Sequence, residues 1–171
     1  MKLKHFYKVE NNKLIKGSGY KIPEGFIEYD KNNPPKDFLD LQNKELFEET
    51  KSNKILQLKQ DFETLRNKTA HILSKTINKE INARQQDLVN IDSLISILPD
   101  DTTTIEFRCY DNSFVKVNKE QLLNIKKEII QEGIDTYKRK WTLEQKIKSA
   151  TSIDELNSIK WDEKLNEMDN T

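Results

Sequence analysis

Two short alternating runs, joined by turn residues and followed at once by a helix cap, constrain this chain more than any other stretch. Ile105-Glu106-Phe107-Arg108-Cys109-Tyr110 alternates β-branched or aromatic residues with polar ones, which predicts a strand. Asp111-Asn112-Ser113 tolerates positive φ and predicts the turn. Phe114-Val115-Lys116-Val117 predicts the return strand. Asn118 then stands where a helix cap belongs, with Gln121 at the reciprocal position of a capping box. The helix beyond carries Leu122, Ile125, Ile129, Ile130, Tyr137, Trp141 and Ile147 at near-helical spacing, read as a core stripe. Gly133 within it costs about 1 kcal/mol relative to alanine and marks a close contact or a bend. Ser152 and Glu155 predict a second capping box, for a short helix closing through Ile153, Leu156, Ile159 and Trp161. Asp111, Asn112, Asn118, Gln121, Trp141, Ser152, Glu155 and Trp161 are therefore assigned structural roles.

Residues 1–37 read differently. Leu3, Phe6, Tyr7 and Val9 begin a strand-like run, Glu10-Asn11-Asn12-Lys13 is turn material, and Leu14 and Ile15 start a return. Tyr20, Ile22, Phe26, Ile27 and Tyr29 add an aromatic-rich tail broken by Pro23 and Gly25. Pro34-Pro35 then holds the chain extended. This predicts a small β-rich module and a linker, too short to stand alone, that packs on a partner or neighbouring subunit. A long helix follows over 38–80, capped at Asp40 or Asn43. Ile55, Leu58, Phe62 and Leu65 lie at a/d spacing along it, and Phe47 extends the seam backwards. Two readings stand: a helix packed on its own domain, or a coiled coil through 47–65 that self-associates. From Asn67 to Asn82 the periodicity is poor and fits either helix or a strand with a turn. Leu88, Ile91, Leu94, Ile95 and Leu98 then predict a second helix, stopped by Pro99. The expected fold is α+β, mainly helical: a β-rich N-terminal module, a long central helix, and a C-terminal β-hairpin followed by a long and a short helix. Residues 162–171 are polar and predicted to fray.

Charge and chemistry narrow the function classes. The 29 basic and 29 acidic residues cancel, so no global field favours nucleic acid or an anionic membrane. No run approaches a signal peptide's apolar region or a membrane span. One cysteine, Cys109, excludes an intrachain disulfide. His5 and His71 lack companions at ligand spacing, so no metal site is expected. Gly17-Ser18-Gly19 lacks the spacing and lysine of a phosphate loop. The adjacent carboxylates Glu48-Glu49 and Asp100-Asp101 have no opposed geometry. Tyr137-Lys138-Arg139-Lys140-Trp141 reads as a core stripe with a solvated basic side. No catalytic residue and no cofactor is expected.

In their order, Ile81-Asn82-Ala83-Arg84, Asn90-Ile91, Tyr110-Asp111-Asn112, Val117 to Leu122 and Lys146 to Trp161 carry a resemblance. Residues 81–161 resemble an uncharacterised domain family of bacteriophage and prophage tail proteins. Residues 1–40 resemble, more loosely, the β-rich starts of tail-fibre assembly proteins. The resemblance implies a non-enzymatic tail-associated protein that binds a tail fibre or another tail protein and assists its assembly or attachment. A permanent subunit of the virion tail, and an inhibitor of a host protein, are the alternatives. It implies location in the bacterial host cytoplasm during phage assembly, or in the virion tail. Phe6, Tyr7, Tyr20, Phe26, Tyr29, Ile55, Leu58, Phe62 and Leu65 are the expected partner-binding residues, since strand edges and helical seams are common recognition surfaces.

Overall fold

A computed structural model of the chain describes residues 2–161; the segment 162–171 lies outside them. The fold is α+β and mainly helical. Strands β1 (Lys4–Glu10), β2 (Lys13–Gly19) and β3 (Ile27–Tyr29) precede helix α1 (Lys36–Thr64) and a π-helical turn (Leu65–Thr69). Then come β4 (His71–Ser74), β5 (Lys79–Asn82), α2 (Gln85–Ile97), β6 (Thr104–Arg108), β7 (Phe114–Asn118), α3 (Lys119–Ser149) and α4 (Ile153–Ser158). The chain divides into two compact units, Met1–Lys54 with Ala150–Asn157, and Ile55–Ser149 with Ser158–Thr171.

The first unit is built on an antiparallel sheet of order β2-β1-β3. Asn11 and Asn12 both take positive φ (52° and 59°), and Glu10 pairs with Lys13. That is a two-residue type I′ turn, whose twist suits a tight hairpin. The sheet has an aromatic face. Tyr7 is buried and meets Tyr29 and Phe38 at ring-centroid distances of 5.8 and 5.2 Å. Phe38, in the first turns of α1, packs into their core. On the opposite face Phe6 packs edge-on to Phe26 at 5.3 Å and lies over Gly17, where a Cβ would approach its ring to 2.7 Å. Helix α1 begins at Lys36, earlier than Asp40, because Pro34-Pro35 supply the preset φ that opens a helix. Leu39 N donates to Pro35 O at 3.1 Å.

The second unit has a continuous apolar core of Ile81, Ile91, Leu98, Val117, Leu122, Ile125 and Ile129. Alternation along β6 and β7 sends Ile105, Phe107, Val115 and Val117 to it, with Ile105 opposite Val117 and Phe107 opposite Val115. The helix expected over 38–80 covers 36–64 instead, and 71–82 is a hairpin. Asn78 at φ 52° closes that hairpin, and Asn112 at φ 66° closes the β6–β7 turn. Ser113 N and Oγ both donate to Asp111 Oδ1, at 2.9 and 2.6 Å. The two hairpins are joined by Tyr110 N donating to Glu80 O at 2.8 Å and by His71 stacked on Tyr110.

Capping follows side-chain chemistry. Asn118 Oδ1 accepts from Gln121 N at 2.9 Å, and Gln121 Oε1 accepts from Asn118 N at 3.0 Å, so α3 opens on a reciprocal box. Ser152 Oγ accepts from Glu155 N at 3.1 Å, but the Glu155 carboxylate takes Thr151 N, at 2.6 Å, where the sequence reading expects Ser152 N. Helix α2 has no hydroxyl cap. Asp87 reaches back instead, accepting from Arg84 N (2.9 Å), Nε (2.8 Å) and Nη2 (2.9 Å).

Candidate functional site

Most of the aromatic side chains expected to meet a partner are used inside the first unit. Phe6 and Tyr7 are buried, Phe26 and Tyr29 are half-buried, and only Tyr20 among them is exposed. What the first unit offers outward is its sheet edge. The hairpin register makes Glu10, Lys8, Phe6 and Lys4 the hydrogen-bonded partners of β2, so Leu14, Lys16 and Ser18 turn their backbone groups away from β1. Leu14 N donates to Glu45 Oε1 at 2.7 Å, which covers one end of this edge. Beside it lies a cleft of about 530 Å³ lined by His5, Lys16, Ser18, Lys31, Phe38 and Gln42 among others. His5 Nδ1 and Ser18 Oγ stand 2.9 Å apart at its wall. The cleft carries two lysines and no carboxylate.

The seam on α1 is likewise used within the second unit. Leu58 and Phe62 are buried, and Ile55 and Leu65 are half-buried. Phe62 meets Tyr137 at 4.8 Å and Trp161 at 6.1 Å. This favours a helix packed on its own domain over a coiled coil through 47–65, since the central apolar pair cannot serve both.

A largely apolar cavity of about 200 Å³ adjoins Phe62, Leu65, Ala70, Leu88, Ile129 and Gly133. Arg66, on the π-helical turn, stands in its wall. Its Nη1 donates to Tyr137 Oη and its Nη2 to Gln85 Oε1, both at 2.7 Å. A Cβ at Gly133 would meet nothing within 4 Å, so the glycine leaves open space rather than a close contact. On the neighbouring face of α3, Glu128 receives the β4–β5 loop: Ser74 Oγ at 2.6 Å, Thr76 N at 3.0 Å and Thr76 Oγ1 at 2.9 Å. No local spacing announces Arg66 or Glu128, because Arg66 finds its partners 19 and 71 residues away and Glu128 finds Ser74 54 residues away.

Helix α3 corrects the expected stripe. Its buried residues are Leu122, Ile125, Ile129, Thr136, Leu143 and Ile147. Trp141 is 57% exposed and Ile130 41%, so neither belongs to the core. Leu143 takes the place assigned to Trp141. Leu123, Ile130, Ile134 and Trp141 form a second, exposed stripe at spacings of seven, four and seven. The basic run beside it is locally paired: Lys138 with Asp135 at 3.3 Å, and Lys140 with Glu144 at 3.5 Å and over the Phe62 ring.

Among the described residues no three His, Cys, Asp or Glu side chains are grouped to hold a metal ion, and no helix is long and apolar enough to cross a membrane. Cys109 is buried, with its N donating to Ser113 O. His71 donates from Nδ1 to Thr69 O at 3.0 Å, a contact that orients the ring against Tyr110.

Residues 49–160, about two thirds of the chain, match the family described as Domain of unknown function (DUF4376). The chain belongs to that family. The match opens within α1, upstream of Ile81, and takes in both hairpins of the second unit. No curated protein and no solved structure matches the chain.

Proposed function

We propose that this chain is a non-enzymatic binding protein of a bacteriophage or prophage tail, which holds a tail fibre during its assembly or attachment through the edge of the N-terminal sheet. The observation that carries the reading is the outer edge of β2. Lys16 and Ser18 point backbone donors and acceptors outward beside a cleft lined by Lys16 and Lys31. An extended segment of a fibre can add there as a fourth strand, with main-chain hydrogen bonds supplying affinity and the lysines favouring an acidic segment. The tail assignment is supported by the sequence resemblance over 81–161 and over the first 40 residues.

The test is co-expression of the full chain with a tail-fibre protein of the same genome. A rise in soluble, trimeric fibre is expected, with loss of that effect in Lys16→Pro, which removes an outward N–H and leaves the β1 ladder in place. Unchanged fibre solubility and trimerisation would sink the assembly role. Recovery of the chain in purified particles would make it a lasting subunit of the tail instead.

A further inference from the structure

The apolar cavity beside Gly133 is lined wholly by residues of the second unit, so one folded body builds it. Its volume of about 200 Å³ somewhat exceeds the roughly 150 Å³ that takes up a benzene ring. Phe62 and Ile129, both buried, supply apolar lining together with Leu65 and Leu88. Glycine weakens a helix interior, yet nothing packs within 4 Å of the place where a Cβ of Gly133 would stand. Close helix packing therefore does not account for this glycine; it keeps one wall of the cavity clear.

Among the described lining residues, Arg66 is the one cation and Glu132 the one carboxylate. Arg66 is half-buried on the π-helical turn, a rare backbone form that recurs at functional sites. Its two hydrogen bonds go to neutral groups, Tyr137 Oη and Gln85 Oε1, both at 2.7 Å, and both residues also line the cavity. It pairs with no carboxylate among the described residues. A guanidinium carries five N–H groups, so about three remain to meet a ligand. The Tyr137 ring, 5.4 Å away, adds to its hold. Glu132 is less fixed: its hydrogen bond comes from Thr136 Oγ1 on the same helix, at 3.2 Å. We infer that the cavity is a binding site for a small apolar monocarboxylate, with its hydrocarbon body against Phe62, Leu65 and Ile129 and its carboxylate on the Arg66 fork. An arginine already held in place takes a carboxylate at two points with little further ordering. An apolar lining with one convergent cation selects an apolar body that ends in one anionic group. The site belongs to the second unit alone and does not depend on what the N-terminal sheet binds.

Titration calorimetry of the full chain with octanoate tests it, with octanol and octylamine as neutral and cationic probes of the same hydrocarbon body. One octanoate per chain is expected, bound about tenfold or more tightly than octanol. In Arg66→Gln that preference should vanish while octanol binding stays as it was. Gly133→Leu puts a side chain into the open space and should abolish binding of both, with an unchanged circular dichroism spectrum. Glu132→Gln should leave octanoate binding intact or strengthen it. The proposal is overturned by the absence of saturable octanoate binding, by octanol bound as tightly, or by octylamine bound more tightly than octanoate. Undiminished octanoate affinity in Arg66→Gln or in Gly133→Leu overturns it as well. The three probes are compared on the native chain, so they decide the matter even where a variant does not fold.

Discussion

The phenol of Tyr7, on β1, donates a 2.9 Å hydrogen bond to the Asp37 carboxylate in the first turn of α1. Strand and helix are thus tied at a point where the Tyr7 ring also touches Phe38. Burial first, and then Asp37, raise the Tyr7 phenol above its ordinary range. The neutral phenol is the form that the fold favours. Its contribution is therefore complete below the ordinary tyrosine range and is lost as pH rises through the raised value. Tyr7→Phe should cost about 1 kcal/mol in urea unfolding. It should also remove a phenol ionisation from above the ordinary tyrosine range in an alkaline absorbance titration.

Glu128 is the acceptor for three donors of the β4–β5 loop, and Ser74 among them is fully buried. Glu128→Ala strands a buried hydroxyl and should cost about 1–3 kcal/mol. Adding Ser74→Ala should restore part of the loss. A double-mutant cycle by denaturant unfolding measures the coupling, and strict additivity would show that the contact contributes nothing.

Asn78 is exposed and holds φ 52°. Asn78→Gly should leave stability within about 0.5 kcal/mol, or raise it slightly, because glycine reaches that conformation freely. Asn78→Val should cost about 1–2 kcal/mol, since a β-branched residue is strained there. Equal midpoints for the two variants would contradict the turn.

Asp100 Oδ1 accepts from the backbone N and the hydroxyl of both Thr102 and Thr103, at 2.8–3.0 Å. These hydrogen bonds, led by the Thr102 hydroxyl, lower its carboxyl to about 2. The loop should stay closed through the ordinary carboxylate range and loosen only as pH falls through about 2. Carboxyl chemical shifts across an acid titration check this; a midpoint near 4 would contradict it.

Legibility in the sequence followed the range of the interactions. The β6–β7 turn and the Asn118–Gln121 cap are each encoded by close neighbours in the chain, and both are apparent from the letters. The β4–β5 hairpin is not, because Leu73 is 63% exposed and Ser74 is buried, inverting the expected alternation. Glu128, far along the chain, makes that inversion stable. On α3 two apolar stripes run at helical spacing. Only the packed elements decide that Leu143 faces inward and Trp141 outward. The aromatic residues of the N-terminus were visible as a cluster, but Phe38, beyond the double proline, is what turns that cluster into a core.

The three sheets are all closed by strands next to each other in the chain or one strand apart. Each ladder therefore forms by closing a short loop, and loop closure of this size takes microseconds or less. The β1–β2 hairpin, with only two residues between its strands, can pair before α1 has been synthesised. The hairpin would then hide its strand edge on one side early, and present the other to whatever is nearby.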